Sequence, residues 1–436
     1  MLVGTTKSVC PVCLEVIEAK KFSEADGVYM RKTCPEHGSF EALIWEGDLK
    51  SYLTWQTSNT ASDPPVNGKL PENGCPNDCG LCTEHLRKGC CMLLELTNRC
   101  NLRCPVCFAS AGVAEPHDLS IEEISAQYDF LMAHGGPFNI QLSGGEPTVR
   151  DDLPEIIRLG RSKGFTFFQL NTNGIRLAED PDYAKTLKAA GLNTVYLQFD
   201  GVSDDVYLKL RGKELFENKL KAIENSAAAG LGVVLVPVIA PGVNDNQVGD
   251  ILKLAIDKMP DVRGVHFQPV SYFGRCGEAR PRKPITIPKM LQLIEQQTSG
   301  IMAAADFAGG GAENPYCSFH ASYRVMDDGT LKLLPKKSGS CCCCTTSDDS
   351  RTSVASQWDG AIEAAEGEDG FDEFLRDVHN STFAVSGMIF QDAYNLDLVR
   401  LKRCYICEVD SEYGMVPFCA YNLTNTEGRY LYRKIK

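Results

Sequence analysis

Three cysteines share one short stretch, CNLRCPVCF (residues 100–108), in the spacing C-x3-C-x2-C. A structural zinc needs four protein ligands and a disulfide needs two thiols, so three thiols match neither. A [4Fe–4S] cluster has four irons that each need one outside ligand, and cysteine thiolates supply such ligands. A loop that offers only Cys100, Cys104 and Cys107 leaves one iron open to a substrate or cofactor, as in catalytic zinc sites. The alternative is a zinc site that a distant cysteine completes.

A second C-x3-C-x2-C spacing lies upstream, formed by Cys75, Cys79 and Cys82 in CPNDCGLC. We predict an auxiliary [4Fe–4S] cluster at this motif, with Cys90 or Cys91 as the fourth thiolate. In a competing interpretation, Cys90 and Cys91 form a reactive thiol pair instead.

Four further metal ligands are predicted near the N-terminus, in a C-x2-C…C-x2-H pattern: Cys10, Cys13, Cys34 and His37. Such a set suits one tetrahedral metal, either zinc or a rubredoxin-like mononuclear iron. A segment this short hardly folds without a staple, so we expect a structural site, or a short electron relay if the metal is iron.

The C-terminal part holds another predicted auxiliary cluster, with Cys404, Cys407 and Cys419 as ligands together with the distant Cys317. The run CCCC at residues 341–344 is harder to interpret, because four consecutive thiols do not fit one small cluster. It is interpreted as one ligand plus spare thiols, or as a flexible redox or sulfur-handling segment.

The elements that position these loops follow from a change of pattern at residue 92. Short apolar runs alternate with helical patterns up to about residue 290, which is typical of a parallel sheet covered on both faces. Six strands are predicted, at residues 91–97, 138–147, 165–174, 194–201, 232–239 and 264–271. We therefore predict an α/β fold with a partial (β/α)6 barrel, whose chemistry lies at the carboxyl ends of its strands.

Polar and glycine-rich tails follow these strands where they are expected to end. In SGGEP, Gly144 and Gly145 allow close approach of the backbone to a ligand, and Glu146 offers an acceptor for a cationic amine. NTNG (residues 171–174) and the next strand end supply polar groups that suit a ribose or a carboxylate. Each of these tails is also explained by a plain turn. The candidates are Asn171, Thr172, Asn173, Gln198 and Asp200.

The composition of the whole chain limits the possible functions. The chain has 436 residues, 20 cysteines and a net charge of −13, which disfavours nucleic acid as a partner. No apolar run reaches about 18 residues, and the N-terminus lacks a secretory signal, so we expect a cytoplasmic chain without a transmembrane segment. Four regions are predicted: a metal-binding ribbon (1–56), a linker with the auxiliary motif (57–91), the barrel (92–290) and a C-terminal auxiliary-cluster domain (291–436).

CNLRCPVCF after a first strand, with SGGEP after the second, resembles the radical S-adenosylmethionine (SAM) superfamily. The resemblance implies that the open iron chelates SAM, and that one electron from the cluster cleaves the sulfonium to yield a 5′-deoxyadenosyl radical. It also implies that the SGGEP segment, starting at Ser143, binds the methionine amino group of SAM. The strand around Val238 is similar to the segment that contacts adenine in that superfamily.

The order of all the motifs along the chain resembles the multi-cluster family that includes tetraether lipid synthases and dihydropterin-linked dimethyltransferase-like proteins. The CCCC run and Cys407 depart from its pattern. The implied activity is hydrogen abstraction from a carbon centre, then C–C or C–S bond formation or alkylation of a small-molecule or lipid-like substrate. An electron donor such as flavodoxin or ferredoxin is implied as a partner. A ferredoxin-like electron carrier and a zinc-finger binding module are the alternative functions.

Overall fold

The computed structural model describes residues 1–55, 62–276, 283–335, 346–365 and 369–434. Within them the chain forms eighteen β-strands and thirteen α-helices. The strands are β1 (Leu2–Val9), β2 (Val16–Ser23), β3 (Gly27–Cys34), β4 (Gly38–Glu46), β5 (Cys91–Glu95), β6 (Val106–Cys107), β7 (Asn139–Ser143), β8 (Phe168–Thr172), β9 (Thr194–Gln198), β10 (Gly232–Val236), β11 (Val238–Ile239), β12 (Val262–Pro269), β13 (Arg275–Cys276), β14 (Ser318–Val325), β15 (Leu331–Leu333), β16 (Thr382–Met388), β17 (Ile406–Asp410) and β18 (Gly414–Pro417).

The helices connect and cover these strands, and three short 3-10 turns lie at Pro147–Val149, Ala304–Asp306 and Pro315–Cys317. The helices are α1 (Leu49–Trp55), α2 (Ile121–Ala133), α3 (Leu153–Ser162), α4 (Ile175–Glu179), α5 (Pro181–Ala190), α6 (Asp204–Arg211), α7 (Phe216–Ala228), α8 (Val248–Asp257), α9 (Ile287–Gln297), α10 (Ser347–Trp358), α11 (Gly370–Ser381), α12 (Leu398–Leu401) and α13 (Phe418–Tyr421). Within the described ranges, none of these helices is long and apolar enough to cross a bilayer.

An antiparallel four-stranded sheet, in the order β1-β2-β3-β4, forms the N-terminal ribbon. Two of its turns carry cysteines. The first turn is closed by the backbone bond from Leu14 N to the Cys10 carbonyl at 2.9 Å. The second joins β3 to β4, where Cys34 pairs with Gly38. The hairpins thus bring both turns to one end of the ribbon, as a two-loop metal site requires.

Six parallel strands form the centre of the large sheet, in the order β12-β10-β9-β8-β7-β5. They are the six strands that the sequence predicts, and the predicted intervening helices are present, so the predicted α/β barrel architecture is confirmed. In a parallel sheet all carboxyl ends lie at one edge. The loops after β5, β7, β8 and β9 therefore meet at one edge of the sheet, although they are far apart in sequence.

The two faces of this sheet differ in polarity. On the face that the helices cover, Ile140, Phe168 and Leu197 are fully buried and belong to the main hydrophobic core. The opposite face, which we call the lumen face, carries polar side chains that recur at every second position of the strands. They include Gln141, Gln169, Asn171, Tyr196, Gln198, His266 and Ser386.

Strands from the C-terminal part extend the same sheet on both sides. On one side, β16 pairs parallel with β12 and is followed by β14 and β15; on the other, β17 pairs parallel with β5 and is followed by β18. Helix α10 lies at the amino ends of the strands, where Arg351 donates to the carbonyl of Pro137 at 2.8 Å. Strands of the C-terminal part therefore form backbone hydrogen bonds with strands of the barrel. The predicted domain boundaries remain a prediction.

Candidate metal and cofactor sites

The four predicted N-terminal ligands lie together at the end of the ribbon. The Sγ atoms of Cys13 and Cys34 are 4.0 Å apart, and His37 Nδ1 lies 3.4 Å from Cys34 Sγ and 3.8 Å from Cys10 Sγ. Zn–S bonds of about 2.3 Å place tetrahedral thiolates roughly 3.8 Å apart, so the spacing suits one metal ion. The hydrogen bond with His37 lowers the pKa of Cys34 to about 6, which favours the thiolate that a metal binds.

The loop with Cys100, Cys104 and Cys107 leaves the carboxyl edge of the sheet after β5. The three thiols pack against an apolar wall that includes Ile175 of α4 and Tyr207 of α6. Burial raises the pKa of Cys100 to about 12, so a cation must be present for this group to ionise at neutral pH.

Spacing distinguishes this loop from the N-terminal site. Among the described residues, the N-terminal set alone places three or more His, Cys, Asp or Glu ligand atoms within 4.8 Å of one another. Cys100, Cys104 and Cys107 are electrostatic neighbours but lie farther apart than that limit. Thiols that each bind a separate iron of a cluster need not lie within that limit, so the arrangement is compatible with a cluster.

The glycines of SGGEP approach the backbone that leads into the cysteine loop. A Cβ atom on Gly144 would lie 2.3 Å from the Thr97 carbonyl oxygen, and one on Gly145 would lie 2.1 Å from that of Arg99. Gly145 N also donates to the Thr97 carbonyl at 2.7 Å. The glycines thus allow close approach of the protein's own loop, and their predicted approach to a ligand stays a prediction. The space between these chain segments is too narrow for any side chain.

Glu146 has several protein partners at the carboxyl edge, and its predicted contact with the amine of SAM stays a prediction. Its Oε1 accepts hydrogen bonds from the hydroxyls of Thr148 and Thr172, both at 2.7 Å, and its Oε2 accepts from Asn173 N at 2.7 Å. The carboxylate is 1% exposed. Glu146 therefore ties the end of β7 to the end of β8.

Asn173 continues this network into the cysteine loop. Its Nδ2 donates to Asn101 Oδ1 at 2.7 Å, directly beside Cys100. Sequence reasoning gave no role to Asn101, and no local pattern distinguishes it from an ordinary loop asparagine. The NTNG segment thus helps to position the loop. Within it, Thr172 Oγ1 accepts a hydrogen bond from Gly174 N at 3.0 Å.

Asp200 forms a buried ion pair that sequence reasoning missed. Arg211 of α6 donates two hydrogen bonds to its carboxylate, at 2.6 and 2.7 Å, and both side chains are 5% exposed or less. Arg211 also donates to the thiol of Cys104 and to the Val106 carbonyl. Asp200 additionally accepts from Val238 N at 3.1 Å, so the pair joins the predicted adenine-contacting strand to the cysteine loop.

The other two candidates lie on the lumen face. Asn171 donates to Gln141 at 3.3 Å and accepts from Gln169 at 3.1 Å. Gln198 contacts the ammonium group of Lys219 on α7. Burial lowers the pKa of Lys219 to about 8. A buried lysine on α7 has no signal in the local sequence.

The motif at residues 75–82 packs under the C-terminal end of the chain. Cys75 and Cys79 share a hydrogen bond, in which the proton of Cys79 stabilises the Cys75 thiolate and lowers its pKa. Lys402 is an electrostatic neighbour of Cys75 and Cys82. Three thiols and one cation suit an anionic cluster, and the auxiliary cluster at this loop stays a prediction.

Cys90 and Cys91 lie at the amino end of β5, whereas the loop of Cys100 lies beyond its carboxyl end. The polar neighbours of Cys90 include Arg351 and Glu313. Burial raises the pKa of Cys91 to about 12. Buried thiols with raised pKa values are unreactive, which argues against a reactive pair at this position.

In the C-terminal part, Cys317, Cys404 and Cys419 are mutual electrostatic neighbours. Arg400 donates to Cys317 Sγ from Nε and Nη2, both at 3.4 Å. Cys407 is an electrostatic neighbour of Cys404, but its side chain belongs to the main apolar core whereas Cys419 belongs to a separate cluster, so its role as a ligand stays a prediction. The run at residues 341–344 lies outside the described residues.

Comparisons with known proteins agree with this arrangement. The model of the Radical SAM superfamily matches residues 94–255, and that of the HMPTM N-terminal zinc ribbon domain matches residues 2–46. Over 96% of its length the chain is 36% identical to 7,8-dihydro-6-hydroxymethylpterin dimethyltransferase of Methanocaldococcus jannaschii, with 93% of that protein covered. GTP 3′,8-cyclase of Alkaliphilus oremlandii is 31% identical over 55% of this chain and 79% of that one.

Among solved structures, Streptococcus suis SuiB bound to S-adenosylmethionine superposes with a TM-score of 0.41 and 15% identity, over 49% of this chain and 48% of that one. A likeness this weak adds nothing to the family assignment, which rests on the near full-length match and on the two family models. The chain belongs to the radical SAM superfamily, whose cofactors are SAM and a [4Fe–4S] cluster, and its N-terminal ribbon carries a metal-binding site.

Proposed function

We propose that this enzyme abstracts hydrogen from a carbon centre of a small molecule and then forms a C–C or C–S bond, or alkylates that carbon. The observation that carries the proposal is the loop of Cys100, Cys104 and Cys107 at the carboxyl edge of the sheet. It provides three thiols beside the strand ends of that edge, within the part of the chain that the Radical SAM superfamily model matches. When bound, the cluster and SAM supply a 5′-deoxyadenosyl radical.

The chain's own residues hold the reacting groups in place. The pair of Arg211 and Asp200 fixes the loop from one side, and Asn173 fixes it from the other through Asn101. The apolar wall of α4 and α6 excludes water, which protects a reactive radical from side reactions. Arg211 also offers a positive charge beside Cys104, and such a charge favours the ionised, metal-bound form of the thiol.

SAM is proposed to lie across the carboxyl edge, against the strand ends that carry Ser143, Asn171, Gln198, Asp200 and Val238. Glu146, Thr172 and Asn173 bind one another, so their proposed contribution is to shape this edge. Gly144 and Gly145 keep the edge close to the cysteine loop.

A polar small molecule is the proposed substrate class. The relative in Methanocaldococcus jannaschii is named for a dihydropterin, and the cyclase relatives are named for GTP. The lumen face supports a polar substrate, because the carboxamides of Gln141, Gln169 and Asn171 lie side by side on it. Gln169 Oε1 is buried and has no hydrogen-bond partner among the described residues, so a polar substrate would satisfy it whereas a hydrocarbon chain would not.

The remaining cysteines are proposed to hold auxiliary centres. Cys75, Cys79 and Cys82 would bind one [4Fe–4S] cluster, and Cys317, Cys404 and Cys419 another, with Arg400 donating to a ligand sulfur. The N-terminal site would hold zinc or one iron. An external carrier such as flavodoxin or ferredoxin would supply the electron that the reaction consumes.

The test is an anaerobic assay of the full chain, reconstituted with iron and sulfide and reduced with dithionite. Release of 5′-deoxyadenosine from SAM supports the proposal, and mass spectrometry of a cell extract treated with the enzyme would identify the product. A protein that binds iron and sulfide but releases no 5′-deoxyadenosine is an electron carrier instead. A colourless protein that binds zinc alone is a binding module.

A further inference from the structure

The C-terminal segment of residues 422–434, which we call the tail, contacts three cysteine loops that are remote from one another in sequence. It begins where α13 ends and closes on itself through the bonds from Asn425 N to the Arg429 carbonyl and from Leu431 N to the Leu423 carbonyl, both at 2.9 Å. Asn425 Oδ1 also accepts from Arg429 N at 2.8 Å. These internal hydrogen bonds make the tail a tight loop.

The first contact of the tail is with the N-terminal metal site. Thr426 N donates to the Pro11 carbonyl at 2.9 Å, and Asn425 Nδ2 donates to the Val12 carbonyl at 2.8 Å. Pro11 and Val12 are the two residues between the ligands Cys10 and Cys13. Any metal that fixes the conformation of this turn also fixes the carbonyls that hold the tail.

The second contact is with the loop of Cys75 and Cys79. The hydroxyl of Tyr432 donates to the Pro76 carbonyl at 2.5 Å and accepts from Cys79 N at 2.8 Å. Tyr432 is 5% exposed, so these bonds do not compete with bulk water. One phenol thus satisfies two backbone groups inside the C-x3-C turn.

The third contact is with the loop of Cys107. The hydroxyl of Tyr430 donates to the Phe108 carbonyl at 2.8 Å and lies 2.8 Å from Ser110 Oγ. Arg433 then binds the Glu95 carboxylate at 2.6 and 2.7 Å, at the carboxyl end of β5 from which this loop leaves. The tail therefore holds both ends of the segment that carries the three thiols.

We propose that Tyr430 and Tyr432 are positioning residues, and that the tail couples metal binding at Cys10, Cys13, Cys34 and His37 to the order of both cysteine loops. The coupling rests on the proposed function only in taking Cys100, Cys104 and Cys107 as the ligands of the catalytic cluster. Coupling of this kind is reciprocal, so loading of the clusters also tightens the N-terminal site. The ribbon then has a role in the radical chemistry without touching the substrate.

The first experiment measures hydrogen exchange in the full-length reconstituted enzyme. Asn425→Asp removes the donor to Val12 but keeps the acceptor that Arg429 uses. We expect amide exchange at residues 105–112 and 430–434 to rise about three- to tenfold, the factor that one net hydrogen bond provides. Asn380→Asp is the matched control, because Asn380 makes the same kind of paired contact with Ile362, far from the tail.

A rise confined to residues 10–13 and 425–426 overturns the coupling. The same result in Asn380→Asp as in Asn425→Asp would also overturn it, because a general loosening would then explain both. The exchange experiment does not depend on radical activity. An enzyme without SAM cleavage would contradict the proposed function, while the exchange pattern would still decide whether the tail couples the loops.

The second experiment uses Tyr430→Phe, which removes one hydroxyl and keeps the ring. We expect unchanged iron content, together with a shifted reduction potential and altered EPR g-values of the reduced cluster in the presence of SAM. Tyr413→Phe is the control, since Tyr413 packs on Tyr432 at 5.0 Å within the same region. A Tyr430→Phe spectrum and potential identical to those of the wild type would show that this residue does not position the cluster loop.

Discussion

The N-terminal site and the loop at the mouth of the barrel both use cysteines, but the two sites are built in opposite ways. At the N-terminus, two tight turns bring three thiols and one imidazole within 4.8 Å of one another. At the barrel mouth, one loop spreads three thiols along an apolar wall, and neighbouring strands hold the loop from outside. The first site is complete in itself, whereas the second depends on the fold around it.

This difference assigns different tasks to the two sites. A compact tetrahedral set has no free position for a substrate, so it stabilises a small domain. A set of three thiols on separate irons leaves one position for a ligand, and its surroundings decide what that ligand can do. Variants of each site therefore test whether a complete set of four protein ligands marks a structural metal, and a set of three marks a catalytic cluster.

The largest effect is expected from Cys104→Ala. Two thiolates cannot secure the catalytic cluster, so this variant should release no 5′-deoxyadenosine above background in the anaerobic assay, while its N-terminal metal stays bound. Cys407→Ala is the matched control. Its thiol lies in the apolar core, and we expect it to retain the iron content and SAM cleavage of the wild type. Equal loss in both variants would refute the assignment of the loop.

A smaller effect on chemistry is expected from Cys34→Ser. It removes one ligand of the closed set, so metal analysis should show the loss of one equivalent of zinc or iron. Limited proteolysis should then cleave first within residues 1–46, because the ribbon has lost the metal that stabilises it. SAM cleavage should fall but persist, because the ligands of the catalytic cluster are intact. Complete loss of cleavage together with full cluster loading would mean that the N-terminal metal takes part directly in the reaction.

Next in size is the effect of Arg211→Met on stability. The substitution leaves Asp200 as an unpaired buried charge, which costs about 3–5 kcal/mol of unfolding free energy in urea. The control is Lys185→Met, which breaks the exposed pair with Asp182 and should cost far less, because solvent screens that pair. A cost for Arg211→Met as small as that of the control would show that the pair does not hold the cysteine loop.

The smallest effect concerns two histidines in different settings. His37 is exposed and contacts thiols, whereas His266 is partly buried on the lumen face beside Ser386, and loss of solvent around its ring lowers its pKa to about 4. The unfolded chain binds a proton near pH 6.5, so the folded state loses stability as the pH falls from 6.5 towards 4. At pH 5 the loss should be roughly 2 kcal/mol relative to pH 7.5.

His266→Gln should remove this part of the pH dependence of the unfolding free energy, as measured in urea at both pH values. His37→Gln should leave it in place and should weaken metal binding instead. If the pH dependence of the unfolding free energy stays unchanged in His266→Gln, the pKa of His266 is not lowered in the folded state.

The sequence predicted the strands well because their signal is local. An apolar run such as that ending at Leu142 needs no knowledge of its neighbours to indicate a buried strand, and six such runs in alternation with helices indicate a parallel sheet. The cysteine spacings are also local, and they pointed to the loops at residues 75–82 and 100–107. The roles of the strand ends were harder to predict, because Glu146 and Gly144 meet partners from other segments.

Sequence alone therefore determined the type of sheet, the edge at which its loops meet and the residues that offer thiols. Only the tertiary structure decided which charges become buried together, as Arg211 and Asp200 do, and which residues of the tail reach the cysteine loops. The physical reason is distance along the chain. A spacing of three or four residues is set by the backbone itself, whereas a contact between Tyr430 and Phe108 exists only after the sheet has brought the two segments together.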